Sequence, residues 1–393
     1  MTDLPSLPFA TTGVLDLPPE LLRLQDNAPI SRVRTMAGDE AWLVSRYEDV
    51  KALFADERLG RSHPRPEKAA KVTNSAILGG ASGDYDTEDH DHAAMRAMLV
   101  PAFSPRRMRA MRPLIERLVE DLLDAMQAKQ PPVDLHTELA EPLPVLVICE
   151  LLGVPYADRA EFRALSDAAA DTVNAQSSAT AWQGLVEYMA GLIAGKRTQP
   201  GDDLLSDLIA AHGDKVADRD LAALGAGLLF AGHETTLVRI DFGTVLLLSN
   251  PDQREAALRG DSELAATVEE VLRRSSNGVG GLPRYAREDI QVGDVTIAAG
   301  EAVLLSIGGA NHDAQAFPEP TRFDAGRASN QHLAFGHGAR YCIGASLARI
   351  ELQVVFAALL RRFPTLRLAV PVDQLELRTG RLGGGLVSVP VAW

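Results

Sequence analysis

One short stretch of this 393-residue sequence combines a cysteine, glycines and an arginine at close spacing. It reads Phe335-Gly336-His337-Gly338-Ala339-Arg340-Tyr341-Cys342-Ile343-Gly344, and a helix is predicted to follow at once over 345–363. Free backbone N–H groups at the start of a helix favour a thiolate over a thiol, and a thiolate binds soft metal centres. The glycines permit close approaches that a Cβ would forbid, and Arg340 adds a permanent cation. Cys342 is therefore the predicted metal ligand.

The second cysteine has a different setting. Cys149 lies inside the apolar stretch 145–154 and is predicted to be a buried hydrophobic residue. Two cysteines form at most one disulfide, and the N-terminal segment lacks the basic start and apolar run of an export signal, so both thiols are predicted to be reduced. They also cannot supply four ligands to an iron–sulfur cluster. The spacing of the histidines fits no standard zinc pattern.

The cysteine loop resembles that of the cytochrome P-450 family, whose pattern is Phe-Gly-x-Gly-x-(His or Arg)-x-Cys-x-Gly. Residues 335–344 match this pattern at every fixed position. The resemblance implies haem b (iron protoporphyrin) as the cofactor, with Cys342 as the thiolate ligand of the iron, as in this family generally. It also implies that Phe335, Gly336 and Gly344 bind the cofactor. Further motifs follow the family's order from about His92 to Leu386.

A buried acid and alcohol are predicted in the longest helix, over 218–250. Asp218 is its predicted N-cap and Asn250 precedes a proline stop, while Glu234 and Thr235 follow the apolar run 221–231. Such residues in a helix usually face solvent or bond back to a carbonyl, but a buried polar pair needs a reason. By resemblance to the family, Thr235 would hydrogen-bond dioxygen or its water. Glu234 would relay protons for cleavage of the O–O bond.

Four cations match the family's binding positions for the haem propionates. His92 and Arg96 are four residues apart, which places them on one face of a helix. Arg284 and Arg340 match the other two positions, and four cations suit two carboxylates. Taken alone, His92 is as readily explained as a solvated residue beside two aspartates.

The Glu-x-x-Arg pattern of Glu270 and Arg273 is common in helices, where it usually forms an ordinary surface ion pair. In the family this pair ties to an arginine of the loop before the cysteine. Arg327 lies in the matching loop of this sequence. The resemblance therefore implies that these three residues form a structural network without a catalytic role.

Composition and periodicity predict a mainly α fold with a smaller β part. Ala and Leu are abundant, whereas aromatic residues make up only 5%, which favours helices over sheets. Helices are predicted over 45–54, most of 92–200, 218–250, 262–276 and 345–363, and strands near 36–44, 290–292 and 302–306. No repeat or linker divides the chain, so residues 1–393 are predicted to form a single cytochrome P-450 domain. By resemblance, haem lies between the long central helix and the cysteine loop.

Two glycine-rich segments, 278–281 and 383–385, bear on the substrate pocket. The first lies where the family lines its pocket, and the second lies near the C-terminal turn. Because glycines remove side-chain bulk, we expect a roomy, mostly apolar pocket for a bulky apolar small molecule such as a polyketide or macrolide. The candidate wall residues are Ile77, Leu78, Leu228, Ala231, Val279, Leu282 and Leu386.

The charge balance limits the possible partners. A net charge of −14 argues against nucleic acid, and the longest uncharged stretch, 221–233, is too short to span a bilayer. A cytoplasmic protein without membrane attachment is therefore expected. No glycine-rich nucleotide fingerprint is present, so electrons must come from separate proteins, which the resemblance identifies as a ferredoxin and a ferredoxin reductase. Five arginines form a cluster in this acidic sequence: Arg106, Arg107, Arg109, Arg112 and Arg117. Such clusters are usually solvated helix faces, but this one is also a candidate surface for docking an acidic ferredoxin.

Together these features predict a haem-thiolate monooxygenase that inserts one oxygen atom from O2 by hydroxylation or epoxidation. One alternative is a haem oxidase driven by hydrogen peroxide. Another is a non-catalytic haem- or ligand-binding partner in a biosynthetic assembly. The presence of Glu234 and Thr235 favours O2 activation over both, and dependence of turnover on an electron donor separates the two enzymes.

Overall fold

Helices make up most of the fold in the computed structural model, which describes residues 4–275 and 280–393. The predicted mainly α fold with a smaller β part is confirmed, and the helices predicted at 45–54, 218–250, 262–276 and 345–363 are found within two residues of their predicted ends. The helices are α1 (Pro19–Asn27), α2 (Tyr47–Phe54), α3 (Glu88–Leu99), α4 (Pro105–Ala110), α5 (Arg112–Gln127), α6 (Pro142–Leu152), α7 (Arg159–Ala169), α8 (Ala175–Thr198), α9 (Leu204–His212), α10 (Asp218–Ser249), α11 (Pro251–Ala257), α12 (Asp261–Arg274), α13 (Ile307–Asn311) and α14 (Ala345–Arg362).

The β part of the described chain comprises a five-stranded sheet and two smaller sheets. The strands are β1 (Ile30–Arg34), β2 (Glu40–Val44), β3 (Leu59–Gly60), β4 (Val133–Asp134), β5 (Leu282–Ala286), β6 (Ile290–Val292), β7 (Val295–Ile297), β8 (Ala302–Leu305), β9 (Arg367–Leu368) and β10 (Pro390–Ala392). The large sheet has the order β1-β2-β8-β5-β3, with β2 and β8 parallel and the other neighbours antiparallel. Arg284 of β5 pairs with Val303 of β8, which fixes its place in the sheet.

Helix α10 is the central element of the fold. It has 32 residues, which is about 48 Å at 1.5 Å per residue. It packs against α6, α8, α12 and α14 and is apolar around most of its surface, as expected for a buried helix. By length and composition it could cross a membrane, but 61% of its most apolar window is buried inside the protein, and a core helix passes the same test.

The start of α10 differs from the prediction. Asp218 is the first helical residue, while Ala217 occupies the N-cap position and offers no side-chain cap. The predicted capping role of Asp218 is therefore wrong. Its carboxylate instead accepts hydrogen bonds from Arg197 Nε at 3.0 Å and Nη2 at 2.5 Å. This ion pair connects the start of α10 to the end of α8. A carboxylate is also favoured at the positive end of the helix dipole.

Helices α10 and α14 approach each other closely. Gly243 of α10 lies against Phe356 of α14 and Val271 of α12, and an added Cβ at this position would collide with both side chains. This contact fixes the position of α10 relative to the helix that follows the cysteine loop. Helices α10 and α14 are therefore held at a fixed distance from each other at this contact.

Candidate active site

The cysteine loop places Cys342 at the wall of an internal cavity. Gly336 and Gly338 have φ values of 71° and 72°, which glycine adopts far more readily than other residues. An added Cβ at Gly338 would also lie 3.0 Å from Ala55 Cα, so packing against the end of α2 excludes a side chain. The Cys342 N–H donates to the Phe335 carbonyl at 2.9 Å and closes the loop just before α14.

The protonation state of the Cys342 thiol depends on its burial as well as on the N–H groups at the start of α14. The exposed surface of this residue faces the cavity, and protein surrounds the sulfur. Burial raises the pKa of the thiol, and the N–H groups of Gly344 and Ala345, with Arg349 and Arg96, offset only part of this rise. The N–H groups at the helix start thus favour the thiolate as expected, but burial outweighs them in the protein chain alone. A bound metal centre deprotonates a coordinating thiol, so a cationic iron would stabilise the thiolate.

A narrow cavity of about 190 Å³, which we call the lower cavity, lies over Cys342. Helix α10 forms one wall, and the cysteine loop with α14 forms the other. A mainly apolar slot with a cysteine on one wall suits the macrocycle of haem. Gly336 does not line it and instead lies beside Phe54. Six other predicted residues line this slot: Leu228, Ala231, Thr235, Phe335, Cys342 and Gly344.

The four predicted propionate ligands meet in one electrostatic cluster. Burial is the main cause that lowers the pKa of Arg284, to about 10, and the positive charges of Arg61 and Arg340 lower it further. Burial is also the main cause that lowers the pKa of His92, and the positive charges of Arg340 and Arg96 add to it. Arg96 Nη1 also donates to the Tyr341 carbonyl at 2.7 Å, so it lies directly against the cysteine loop. Because these cations repel one another, a bound anion would stabilise their charged forms. The two carboxylates of a haem are suitable anions.

Sequence reasoning missed two members of this cluster, Arg61 and Glu88. Glu88 accepts hydrogen bonds from the Arg61 N–H at 2.6 Å and from Arg340 Nη2 at 2.6 Å. Burial would raise the pKa of Glu88, but hydrogen bonds from Ser62 and from backbone N–H groups, with the charge of Arg340, lower it overall. Glu88 thus anchors Arg340 while staying ionised. In the sequence it is one acid among several before His92, and only its burial distinguishes it.

Glu234 and Thr235 have different environments on α10. Thr235 is accessible from the cavity, and its hydroxyl donates to the Ala231 carbonyl at 2.8 Å. Glu234 is only 1% exposed, and neither of its carboxyl oxygens has a hydrogen-bond partner among the described residues. Burial raises the pKa of Glu234 to about 7, although Arg378 and Arg381 act against this rise. Glu234 therefore holds a proton that it can exchange near neutral pH.

The chain is similar to known proteins in sequence and in fold. The family model for cytochrome P450 matches residues 263–380. Pentalenolactone synthase of Streptomyces exfoliatus is 47% identical over 100% of both chains, and mycinamicin IV hydroxylase/epoxidase of Micromonospora griseorubida is 40% identical over 98% of each. The structure of substrate-free cytochrome P450 PimD, a polyene macrolide antibiotic pimaricin epoxidase, covers 100% of both chains with 43% identity and a TM-score of 0.90.

This chain belongs to the cytochrome P450 family. It is accordingly a monooxygenase, and its cofactor is protoporphyrin IX haem with a thiolate ligand to the iron. The residues present fit that cofactor, since the slot over Cys342 is mainly apolar and the pKa of Arg284 is lowered by burial and by the neighbouring cations Arg61 and Arg340. Bound haem would have Cys342 as its axial ligand, and His92, Arg96, Arg284 and Arg340 would hold its propionates.

A second cavity of the P450, which we call the upper cavity, shares Thr235, Arg239 and Ala334 with the lower one. Its volume of about 260 Å³ lies below the range of roughly 300–1,000 Å³ typical of small-molecule pockets. The pocket is thus less roomy than the glycines suggested. Gly383 also borders an adjacent cavity of about 350 Å³, which extends towards the N-terminal segment.

The candidate wall residues fall into three groups. Leu78 and Leu282 line the upper cavity, as Leu228 and Ala231 line the lower one. Ile77 packs against the main hydrophobic core, and Leu386 is fully buried within that core, so neither lines the described cavities. The assignment of Leu386 to the pocket wall is therefore wrong, because its side chain is used in packing, whereas the assignment of Ile77 stays a prediction. Val279 lies outside the described residues.

Glu270, Arg273 and Arg327 of the P450 form one buried network. Arg273 donates to Glu270 through Nη2 at 2.7 Å and Nε at 2.8 Å, and Arg327 Nε donates to the same carboxylate at 3.1 Å. Arg273 also donates to the Asn311 carbonyl at 2.7 Å, and the Asn311 side chain accepts from the Leu333 N–H at 2.7 Å. The network therefore reaches the beginning of the cysteine loop and lies away from the cavities.

We expect the stability of the P450 to depend on pH through Glu234. Because burial raises its pKa from 4.5 to about 7, the native state retains a proton that the unfolded chain loses. As pH rises from about 4.5 to about 7, stability is therefore lost, by about 3 kcal/mol at 1.36 kcal/mol per pKa unit. Urea unfolding of wild type and Glu234→Gln measures this change, since the variant lacks the titration. Parallel stability curves for the two proteins would contradict the assignment.

Proposed function

We propose that this P450 inserts one oxygen atom from O2 into a bulky, largely apolar molecule of the polyketide or macrolide type, by hydroxylation or epoxidation. The observation that carries the proposal is the pair Glu234 and Thr235 on α10. Thr235 is open to both cavities, and Glu234 holds an exchangeable proton beside the upper cavity. Together they supply a hydroxyl and a proton at the wall that separates the substrate space from the Cys342 slot.

Each residue has a separate task in this proposal. When bound, haem would supply the chemistry of O2 activation, and Cys342 would hold its iron. His92, Arg96, Arg284 and Arg340 hold its carboxylates. Thr235 offers a hydroxyl that can turn from the Ala231 carbonyl towards a ligand in the cavity. Glu234 returns a proton to that position, as a general acid with a pKa near the working pH does efficiently.

The apolar lining of the upper cavity supports the substrate class. Val72, Leu78, Leu282 and Ile307 line it together with glycine backbone, a surface suited to a hydrocarbon skeleton. The relatives named above include enzymes of the macrolides pimaricin and mycinamicin. Turnover of a panel of macrolide aglycones under ¹⁸O₂, with ferredoxin, its reductase and NADPH, tests the proposal. One ¹⁸O atom per product supports it. Label-free product, or turnover with hydrogen peroxide alone, favours the peroxide-driven alternative, and no turnover favours a binding protein.

The proposal includes a ferredoxin as the electron donor and a cytoplasmic location. Arg106 and Arg109 of α4 are exposed and have no ion pair among the residues described. Helix α4 packs on α14, and Arg112 Nη2 donates to Gln353 of α14 at 2.9 Å. These arginines therefore lie on the Cys342 side of the molecule, where electrons must enter. An exposed positive patch on an acidic protein favours an acidic partner through attraction at long range.

Reversing the charge of this patch should slow reduction by ferredoxin. We expect Arg106→Glu/Arg109→Glu to lower ferredoxin-supported turnover about tenfold at low ionic strength, because the attraction that speeds association is lost. The difference should shrink at high salt, since the Debye length falls to about 3 Å at 1 M. Arg65→Glu/Lys68→Glu, in an exposed loop, is a control with the same change in charge. Equal turnover of both double variants at low salt would exclude this docking surface.

A further inference from the structure

Arg239 borders both cavities, is only partly buried, and carries a charge that has no partner among the described residues. Arg239 lies on α10 four residues after Thr235, so the two side chains share one face of the helix. Among the described residues, its guanidinium has no hydrogen bond, ion pair or aromatic contact. Burial alone lowers its pKa, to about 10, so the side chain remains charged at neutral pH.

Other buried arginines of this chain are paired. Arg273 donates to the Glu270 carboxylate, Arg274 contacts the His312 ring, and Arg284 donates to the Pro283 carbonyl. An unpaired buried charge lowers the stability of a protein. Arg239 is therefore not explained by a contribution to folding, and a role in binding is the remaining physical reason for a charge at this position.

The acidic residues nearest to this position do not neutralise Arg239. Glu234, five residues earlier on α10, lines the upper cavity with Arg239, but burial raises its pKa to about 7, which disfavours its charged form near neutral pH. Glu351 lines the lower cavity with Arg239, and burial raises its pKa well above the usual value, which disfavours its charged form. No ion pair joins either acid to Arg239 in the described chain.

Arg239 is also separate from the cations that would hold the haem propionates. The pKa of Arg284 responds to Arg61, Arg340 and Glu88, whereas that of Arg239 responds to burial alone. The two sites are therefore electrostatically independent. Arg239 lines both cavities and is partly accessible from them, so a ligand in the upper cavity can reach it.

We propose that Arg239 binds a carboxylate of the substrate, which makes the substrate an apolar molecule with an acidic group. This rests on the proposed function, because it takes the upper cavity as the substrate site. A guanidinium binds a carboxylate through two parallel N–H···O bonds, which fix orientation as well as position. The apolar part then lies against Leu78, Leu282 and Ile307. Residues four apart on a helix are about 6 Å from each other, so the carbon that reacts beside Thr235 lies close to the acidic end.

Isosteric probes test this directly. 1-Adamantanecarboxylic acid and 1-adamantanecarboxamide differ in charge and hardly in shape, and their binding to the ferric haem protein is followed by the shift of the Soret band. We expect wild type to bind the acid at least about tenfold more tightly than the amide. Arg239→Leu should abolish this preference with little change for the amide, and Arg239→Lys should retain part of it. Equal binding of both probes by wild type, or an unchanged preference in Arg239→Leu, overturns the proposal.

A second measurement does not depend on the probes. Arg239→Leu should raise the urea midpoint of the haem-loaded protein, because it removes an unpaired buried charge. A lower midpoint, or failure to fold, would mean that Arg239 has a structural partner and would overturn the proposal. Failure of the proposed function is distinguishable, since wild type reduced under carbon monoxide would then lack the red-shifted Soret band of thiolate-ligated haem. Wild type that shows this band but binds neither probe also overturns the role of Arg239.

Discussion

Replacing Cys342 with Ala is expected to abolish monooxygenase turnover and to remove the spectroscopic signature of a thiolate ligand. The sulfur of Cys342 lies at the lower cavity, and the other cysteine, Cys149, is fully buried in the core. No second thiol can therefore take its place. We expect a fall in turnover of at least about a thousandfold, or roughly 4 kcal/mol of transition-state stabilisation at 1.36 kcal/mol per tenfold. Absorption spectra of the reduced protein under carbon monoxide, recorded with turnover, measure both effects.

The control for this prediction is Cys149→Ala. Burial raises the pKa of the Cys149 thiol to about 12, so it stays protonated and cannot act as a ligand. This variant should retain the strongly red-shifted Soret band of wild type, while Cys342→Ala should lose it. Because the propionate cations are untouched, Cys342→Ala is expected to retain some haem with an unshifted band. A red-shifted band that persists in Cys342→Ala would rule out this residue as the ligand.

Much of the helical part of the fold was predictable because its signals are local. Helix α10 follows from the apolar run 221–231 within a helical pattern that ends at Asn250-Pro251, and α14 follows from the loop that precedes it. The sheet was less accessible. Strands β2 and β8 are parallel neighbours, with Trp42 opposite Val303, and no feature near either residue specifies a partner about 260 positions away. The β1–β2 hairpin was placed too late because its first strand, from Ile30, is largely polar.

The same distinction holds for the active site. Cys342 and its glycines form a continuous motif, so the sequence shows them together. Arg61 and Glu88 join the cation cluster only through tertiary contacts, and Arg239 is unusual only because its burial leaves it unpaired. The thiol of Cys342 also shows that a local argument can be outweighed, since burial raises its pKa more than the helix start lowers it. Burial is the property that sequence patterns convey least well.

Replacing Glu270 with Ala should strongly destabilise the protein. The side chains of Glu270 and Arg273 are fully buried, and that of Arg327 is 8% exposed. Removing the carboxylate leaves two buried guanidinium groups without an anionic partner, with carbonyl oxygens and, for Arg273, the Phe317 ring as their remaining contacts. Loss of one partner from a buried ion pair typically costs about 3–5 kcal/mol. Urea unfolding of the haem-loaded protein measures this change in the free energy of unfolding.

An exposed ion pair of the same spacing provides the matched control. Glu20 and Arg23 are also three residues apart on a helix, but their side chains are 36% and 57% exposed. Because solvent screens such pairs, Glu20→Ala should leave the urea midpoint nearly unchanged. Glu270→Ala should also lose haem more readily, since Arg273 binds the Asn311 carbonyl and the Asn311 side chain accepts from the Leu333 N–H. If Glu270→Ala were as stable as Glu20→Ala, burial would not determine the strength of this network, and the structural role of Glu270 would have to be abandoned.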